Sequence, residues 1–310
     1  MYESKEWSSH ALRDYVAAMG VEARLIDMQK DVDLDDILSC RLILNRVFAS
    51  AVFRGHQRAL DQAEAVIGLL QKHGVPMINP AEAHYYETSK DRAAKKLAAH
   101  GFPVPKVYGV FLNGQMTDSA GAEGPEAGSD RTGRAETERS EGRAEPGSLK
   151  LEYPCVLKPD CGGRTTWTFI VNNDRELREH MAGAPAIRFI VEEYVRPEYG
   201  YVTRIEVIGG KCRLALKRGV AENGLSAYHL GSDYAAYRDL PGRIEDMAVK
   251  AMSLLSIEAG SLDIIENRSG AYIIDVNSVS NASEDNTEMF GFDLMKETAG
   301  YAVQRYRELG

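Results

Sequence analysis

Two spacings of apolar residues alternate over the first 80 residues of the chain. Apolar residues recur every three or four positions in two segments closed by Gly20 and Gly74, which is the pattern of amphipathic helices. Short apolar runs between them are typical of strands. Strands that alternate with helices indicate a small open α/β domain with parallel strands, whose opening strand is either reduced to a few residues or lies upstream. The predicted elements are helices at 11–20 and 58–73 and strands at 22–27, 41–47 and 75–79.

The remainder of the chain is richer in strands. Residues 82–100 have helical spacing and precede an extended segment at 102–112. The last two predicted strands are joined by the short turn 267–270 and form a hairpin. Strands are predicted at 153–158, 166–172, 187–195, 201–208, 211–219, 260–266 and 271–277, and helices at 174–182, 242–257 and 292–308.

Residues 118–148 differ in composition from the rest of the chain. They contain only Gly, Ala, Ser, Pro, Glu, Asp, Arg and Thr. Such a segment cannot bury enough apolar surface to offset the entropy lost on ordering. We therefore predict a disordered insertion at 118–149 between two strands, with a functional tether as the alternative.

Composition narrows the class of protein. The 310 residues carry a net charge of −9 with a pI of about 5.4, which favours neither a nucleic acid nor an anionic membrane as partner. The longest apolar runs are too short to span a bilayer, and the first ten residues lack the apolar core of a signal peptide. The four cysteines form no CxxC pair, which predicts free thiols. We expect a cytoplasmic protein of two or three small domains.

The terminal hairpin carries the most specific candidate site. Side chains alternate along a strand, so Asp275 and Asn277 share one face, and the short turn places Asp263 within about one residue of a position opposite Asp275. Carboxylates among aliphatic residues are costly unless a cation lies between them, and Mg²⁺ prefers hard oxygen ligands. These three residues are candidate metal ligands; acids that only cap the ends of the hairpin are the alternative.

A second candidate site follows the strand at 153–158. Lys158 would present an ammonium group to phosphate oxygens, while Gly162 and Gly163 would let backbone N–H groups approach them and Thr165 could donate from its hydroxyl. An ordinary glycine turn explains this segment equally well when it is taken alone. The segment is not a Walker A motif.

Two further segments have polar groups that suit a nucleotide and its reaction partner. The strand at 189–195 ends in Glu192, Glu193, Tyr194 and Val195, where adenine could bind backbone groups beside an apolar slot; an edge strand running into solvent is the alternative. Arg204 and Arg218 lie on adjacent predicted strands. Arginine suits bidentate binding of carboxylate or phosphate, although a solvated strand face would have the same composition.

The order of these segments resembles the ATP-grasp superfamily, and most closely its carboxylate–amine ligases of the RimK and LysX type. The likeness covers roughly residues 40–295. Residues 79–107 are similar to the stretch that joins the first and central domains of that family. The hairpin is the most specific match, because the spacing from Asp263 to Asp275 and the following Val-Asn both agree.

The resemblance implies a role for each matched residue. Lys90 and Lys158 match phosphate-binding lysines, and Glu193 and Val195 fall at the adenine hinge. Asp263, Asp275 and Asn277 match magnesium ligands, and Arg204 and Arg218 match arginines near the acyl phosphate and the acceptor. The chain departs from the family where Asp275 replaces a usual glutamate. It departs again where Val202 replaces an acid that often binds ribose, so that Glu198 would have to compensate.

The resemblance also implies a fold and an activity. The expected architecture is an α/β (α+β) ATP-grasp fold. It has a small open α/β domain (1–86), a central lid domain (87–192) and an antiparallel-sheet domain with the metal site (193–310). The expected enzyme uses ATP and Mg²⁺ or Mn²⁺ to activate a small-molecule carboxylate, for example that of an amino acid, and joins it to an amine. A phosphotransferase and a catalytically impaired regulatory protein are the alternatives. Dimers and tetramers are common among such relatives.

Overall fold

The computed structural model describes residues 1–3, 7–113, 150–226, 232–280, 287–288 and 290–310, and the insertion predicted at 118–149 lies outside these residues. The chain divides into two compact units. The larger unit comprises Met1–Pro105, Cys161–Thr166 and Val195–Gly310, and the smaller comprises Lys106–Asp160 and Trp167–Tyr194.

The predicted helices and strands that form within the described residues keep their order, and two short helices and a short strand that were not predicted lie between them. The helices are α1 (Trp7–Ala18), α2 (Leu34–Leu38), α3 (Gln57–Lys72), α4 (Ala81–Glu87), α5 (Lys90–Ala99), α6 (Asp174–Ala182), α7 (Gly242–Leu254) and α8 (Leu294–Glu308), and a 3-10 helix spans Ala49–Arg54. The strands are β1 (Ile43–Leu44), β2 (Met77–Ile78), β3 (Val107–Leu112), β4 (Cys155–Pro159), β5 (Phe169–Val171), β6 (Arg188–Glu193), β7 (Tyr201–Ile208), β8 (Lys211–Gly219), β9 (Tyr234–Ala236), β10 (Ala259–Asn267) and β11 (Gly270–Asn277).

The start of the chain forms the predicted open α/β arrangement in a reduced form. Strands β1 and β2 are parallel, and Tyr2 makes parallel bridges to Asp27 and Arg46, so residues 1–3 take the position of the opening strand. The strand predicted at 22–27 is wrong: in the described part of the chain only Asp27 of this segment makes a bridge, to Tyr2, and a single bridged residue does not form a strand.

The larger unit is built on a five-stranded antiparallel sheet of order β11-β10-β7-β8-β9. One face of this sheet is apolar and packs against α5 and α7, and its central residues Leu262 and Ile264 are fully buried. Because side chains alternate along each strand, Arg204 and Glu206 of β7 and Asp263 of β10 lie on the other face. The core on the apolar face comprises Ile205, Val207, Leu262, Ile264 and Ile273 from the sheet, Ala93 and Leu97 from α5, and Ile244, Ala248, Ala251 and Met252 from α7.

The smaller unit is a four-stranded antiparallel sheet of order β3-β6-β4-β5 covered by α6. Phe111 and Phe189 stack with their ring centroids 6.3 Å apart in its core. The strand predicted at 166–172 begins only at Phe169, because Arg164, Thr165 and Trp167 have positive φ angles that a strand does not accommodate. No helix within the described ranges is both long and apolar enough to cross a bilayer.

His84 on α4 makes the folded state sensitive to acid. Its side chain is buried, and neither ring nitrogen has a hydrogen-bond partner among the described residues. Burial, assisted by the charge of Arg92, lowers the pKa of His84 to about 4. Because the unfolded chain then binds the proton more readily, the stability supplied by neutral His84 is present above pH 6.5 and declines as the pH falls towards 4.

We predict that replacement of His84 removes part of this acid sensitivity. Urea unfolding should show that the native protein has a lower free energy of unfolding at pH 4.5 than at pH 7. Protonation of His84 should account for about 2.5 kcal/mol of this difference. His84→Leu should make the loss smaller by about that amount, whereas the exposed control His73→Gln should leave it unchanged. Equal losses in all three proteins would mean that His84 is not a cause of acid sensitivity.

Candidate active site on the polar face of the five-stranded sheet

Two carboxylates face each other across the terminal hairpin. Asp263 on β10 lies directly opposite Asp275 on β11, as the hairpin spacing predicts, and Asn277 lies opposite Ser261 on the same face. Asp263 and Asp275 have only 10% and 22% of their side chains exposed. Like charges held this close and this poorly solvated destabilise each other unless cations compensate them.

Three basic side chains provide this compensation. Arg218 Nη2 lies 2.6 Å from Asp263 Oδ2, and Arg204 Nη1 lies 3.4 Å from Asp263 Oδ1. Lys90, the first residue of α5, places its Nζ 2.5 Å from Asp275 Oδ1. The strand register explains the contacts of the two arginines with Asp263. Arg204 lies on β7 directly opposite Asp263, and Arg218 lies on β8, the next strand of the sheet. The structure therefore brings together five of the predicted residues.

A third carboxylate, missed from the sequence, holds Arg204 from its other side. Glu206 is 2% exposed, and its Oε1 accepts a hydrogen bond from Arg204 Nε at 2.8 Å. Ser280 Oγ accepts from Arg204 Nη2 at 3.0 Å and donates to Glu206 Oε2 at 2.5 Å. Burial alone would lower the pKa of Arg204, but Glu206 and Asp263 outweigh it and raise this pKa. Arg204 is therefore a fixed, permanently charged group, and the Arg-x-Glu alternation on one strand could have indicated the pairing.

A buried glutamate connects α4 with the end of β11. Glu87 accepts hydrogen bonds from the backbone N–H of Ser278 at 2.5 Å and of Ala49 at 3.4 Å. Burial raises the pKa of Glu87, against the opposing effects of these hydrogen bonds and of Lys90. Glu87 thus fixes the chain just after Asn277, and nothing in the local sequence distinguishes it from a surface glutamate.

Asn79, just after β2, binds both strands of the hairpin within the larger unit. Its Nδ2 donates to the carbonyl oxygens of Ala259 at 2.8 Å and Ser278 at 2.5 Å, and its Oδ1 accepts from the N–H groups of Glu258 at 2.7 Å and Ala259 at 2.9 Å. The side chain is 5% exposed. One amide therefore satisfies four backbone groups where β10 begins and β11 ends, which holds the two carboxylate strands in register.

The smaller unit positions Lys158 by a similar ion pair. Lys158 Nζ lies 2.6 Å from Glu192 Oε1, and both side chains are at most 10% exposed. The exposed Glu193 accepts the N–H of Lys106 at 3.2 Å through Oε2. Glu192, Glu193 and Tyr194 close this unit, and Val195 begins the next part of the larger one.

The glycine loop, residues 161–166, belongs to the larger unit. A Cβ atom added to Gly162, whose φ is 134°, would lie 2.3 Å from Cε2 of Phe53, so this position requires glycine. Gly163 lies against Ser50, and Thr165 donates its hydroxyl hydrogen to the carbonyl oxygen of Arg164 at 2.7 Å. The loop is thereby packed onto the 3-10 helix.

An apolar cluster surrounds the position where the chain departs from the family pattern. Val202 is 4% exposed and packs with Val195 and Ile265, and Tyr272 and Ile274 lie against them. The exposed Glu198 accepts the N–H of Arg268 at 3.0 Å and so stabilises the hairpin turn. The binding of ribose by Glu198 stays a prediction.

The comparison with known families decides the relationship. The sequence model of the RimK-like ATP-grasp domain family matches residues 140–301, which is more than half of the chain. The chain belongs to the RimK-like ATP-grasp family.

Curated relatives are similar to parts of this chain. A probable alpha-L-glutamate ligase of Xanthomonas euvesicatoria is 26% identical over 220 residues, which cover 70% of this chain and 65% of that protein. A D-alanine–D-alanine ligase of Pediococcus pentosaceus is 28% identical over 143 residues, which cover 42% of this chain and 40% of that protein. The RimK-like chain therefore spans from 40% to 65% of the length of these curated relatives.

A solved structure confirms the fold. The ATP-grasp ligase PsnB, complexed with a minimal precursor, Mg and ADP, matches with a TM-score of 0.60 at 14% identity, covering 99% of this chain and 97% of that one. The predicted ATP-grasp fold, with its mixture of helices and antiparallel sheets, is therefore confirmed.

The side chains of the hairpin in this RimK-like protein are of the chemical type that binds magnesium. Asp263, Asp275 and Asn277 offer hard oxygen ligands on one sheet face, and the two carboxylates are directly opposed. Within the ranges that the structure describes, no three His, Cys, Asp or Glu side chains form a metal-binding group. Asp263, Asp275 and Asn277 would supply two carboxylates and an amide, which suits an ion that retains water or phosphate ligands.

We predict that loss of the Asn79 amide strongly destabilises the larger unit. Asn79→Ala leaves four backbone groups without their partner, and urea unfolding should show a loss of about 3 kcal/mol. The matched control Asn223→Ala removes one exposed hydrogen bond and should cost less than about 1 kcal/mol. Equal effects of the two substitutions would contradict a structural role for Asn79.

Proposed function

We propose that this protein is an ATP- and Mg²⁺-dependent ligase that activates a carboxylate as an acyl phosphate and joins it to an amine. One observation carries the proposal: Lys90, Arg204 and Arg218 converge on the opposed carboxylates Asp263 and Asp275. Cations and hard oxygen ligands on one sheet face suit a metal-bound phosphate and a reacting carboxylate. Membership of the RimK-like family supports the same interpretation.

The bond changes of this reaction balance without a further reactant. A carboxylate oxygen of the substrate attacks the γ-phosphorus of ATP, and ADP leaves as the acyl phosphate forms. The amine nitrogen then attacks the acyl carbon, the C–O bond to phosphate breaks, and the amine loses a proton. The products are an amide, ADP and phosphate.

The two arginines on β7 and β8 suit the negatively charged groups that occur in this reaction. Arg204 is held by Glu206 and Ser280, so its guanidinium is oriented before substrate binds. Arg218, only 11% exposed, lies beside the same Asp263. We assign to both arginines the binding of the reacting carboxylate and the stabilisation of the oxyanion that forms when the amine attacks.

Metal and phosphate binding are assigned to the remaining residues. Asp263, Asp275 and Asn277 would hold Mg²⁺, which neutralises phosphate charge when bound. Lys90 and Lys158 would bind phosphate oxygens, with the backbone at Gly162 and Gly163 and the hydroxyl of Thr165. The apolar cluster around Val195 and Val202 would accept adenine, as would the backbone at Glu192, Glu193 and Tyr194.

The proposed reaction predicts a specific dependence of product release on substrates. In the presence of ATP, Mg²⁺ and panels of carboxylic acids and amines, ADP and phosphate should appear in equal amounts only when a suitable acid and amine are both present. Formation of ADP with a phosphorylated product and no amine dependence would identify a phosphotransferase. Binding of ADP without any turnover across the panels would instead favour the regulatory alternative.

We predict that Asp275→Asn removes most of the activity without unfolding the protein. The substitution keeps the shape of the side chain but removes a charged metal ligand, so turnover should fall by more than about 100-fold. Tighter binding of ADP on addition of Mg²⁺, measured by calorimetry, should be lost as well. The exposed control Asp61→Asn should change neither quantity. An unchanged Mg²⁺ dependence in the Asp275 variant would exclude this residue from the metal site.

A further inference from the structure

One hydroxyl group on the polar face of the five-stranded sheet is buried without a hydrogen-bond partner. Ser261 on β10 is 0% exposed, and its Oγ has no partner among the residues that the structure describes. Burial of a hydroxyl in this state is unfavourable, and native proteins seldom retain one without a reason. The position of Ser261 in the sheet supplies such a reason.

Ser261 lies between two residues of the candidate active site. In the register of the sheet it is directly opposite Asn277 of β11 on one side and Glu206 of β7 on the other. Directly opposed residues project from the same face with Cβ atoms about 5 Å apart, so both side chains are within reach of the hydroxyl. Ser261 thus separates a proposed metal ligand from the carboxylate that holds Arg204.

The backbone around Ser261 is fixed, so a protein partner for its hydroxyl has to come from rotation of side chains. Asn79 binds backbone groups where β10 begins and where β11 ends. A Cβ atom at Gly260 would lie 2.2 Å from the carbonyl oxygen of Asn277, so the two strands are already in close contact. The directly opposed groups that can turn towards the hydroxyl are then the amide of Asn277 and the carboxylate of Glu206.

An asparagine that binds a metal through its oxygen needs a partner for its nitrogen. Magnesium prefers oxygen ligands, so Asn277 would present Oδ1 to the ion and turn Nδ2 away from it. An acceptor for Nδ2 decides which end of the amide faces the metal, since the two ends have nearly the same shape. The hydroxyl oxygen of Ser261, directly opposite Asn277, is such an acceptor.

Glu206 can accept the hydrogen of the same hydroxyl. Its Oε1 accepts one hydrogen bond from Arg204 and its Oε2 accepts one from Ser280. A carboxylate has about four acceptor positions, so both oxygens retain a lone pair. One hydroxyl can therefore accept from Asn277 and donate to Glu206 at the same time, which gives the oxygen and the hydrogen of Ser261 a partner each.

We propose that Ser261 is a positioning residue of the metal site. Its hydroxyl accepts a hydrogen bond from Nδ2 of Asn277, so that Oδ1 faces the magnesium ion, and donates to Glu206. Ser261 itself touches neither the metal nor the substrate. This role rests on the proposed function through the assignment of Asn277 as a metal ligand. A hydroxyl that only fills space in the sheet is the alternative.

The role predicts different effects of one substitution on metal binding and on stability. Electron paramagnetic resonance measures the binding of Mn²⁺, which shares the preference for oxygen ligands, to the protein saturated with ADP. Ser261→Ala should weaken this binding about tenfold, because a ligand loses its supporting hydrogen bond. In EDTA, the midpoint of urea unfolding should stay unchanged or rise, because a buried hydroxyl without a partner is removed. The exposed control Ser253→Ala should change neither quantity.

A second substitution tests the connection through the amide. Asn277→Asp introduces a carboxylate with two equivalent oxygens, so no hydrogen bond is needed to choose which end faces the metal. In this background, Ser261→Ala should change the affinity for Mn²⁺ by less than about twofold, and the double-mutant cycle then assigns the effect to the pair. Ser261→Cys keeps a weaker acceptor at the same place and should cause an intermediate loss in the native background.

The possible results separate the role of Ser261 from the ligase function. An unchanged affinity in Ser261→Ala overturns this role, as does an equal loss in the Asn277→Asp background. Weaker binding together with a lower unfolding midpoint in EDTA would show a general structural effect and also overturn it. If the native protein binds no Mn²⁺ with ADP, both proposals fail.

Two further results distinguish the proposals by turnover. The expected pattern of Mn²⁺ affinities without ADP release on any panel of acids and amines would support the role of Ser261 and refute the ligase function. ADP release that requires both an acid and an amine, with an unchanged Mn²⁺ affinity in Ser261→Ala, would support the ligase function and refute the role of Ser261.

Discussion

The architecture of the candidate site depends on one electrostatic constraint, the opposition of Asp263 and Asp275 across two hydrogen-bonded strands. Directly opposed residues have Cβ atoms roughly 5 Å apart, so these carboxylates cannot move far from each other while the sheet is intact. Their partial burial makes uncompensated charge costly. The positions of Lys90, Arg204 and Arg218 follow from this cost, since each of them pairs with one of the two acids.

Such a charged cluster requires a rigid frame, and Asn79 and Glu87 of the larger unit supply much of it. Asn79 binds the beginning of β10 and the end of β11, while Glu87 binds the residue after Asn277. A Cβ atom at Gly260 would lie 2.2 Å from the carbonyl oxygen of Asn277, so glycine lets the two strands approach closely here. The proposed metal ligands are thus positioned by backbone contacts rather than by the acids themselves, whose mutual repulsion opposes their approach.

What could be predicted from the sequence was local. Alternation along β11 predicted that Asp275 and Asn277 share one face, and the short turn placed Asp263 within about one residue of a position opposite Asp275; the register shows the two acids directly opposed. The contributions of Asn79 and Glu87 could not be found, because their partners lie about 180 and 190 residues away in the chain. The strand predicted at 22–27 failed for a related reason, since its one bridge, at Asp27, depends on Tyr2, which lies far away in the chain.

The same ion pairs give the proposed function a thermodynamic consequence. A divalent cation bound by Asp263 and Asp275 competes with Lys90, Arg204 and Arg218 for the carboxylates, and an anionic substrate competes with the carboxylates for these cations. Either ligand alone leaves buried charges without their partners, which is costly. When both ligands bind, the carboxylates would pair with the metal and the three basic side chains with the anionic substrate, so no protein charge would lose its partner. Metal and substrate binding should therefore be positively coupled, and by reciprocity each should strengthen the other to the same extent.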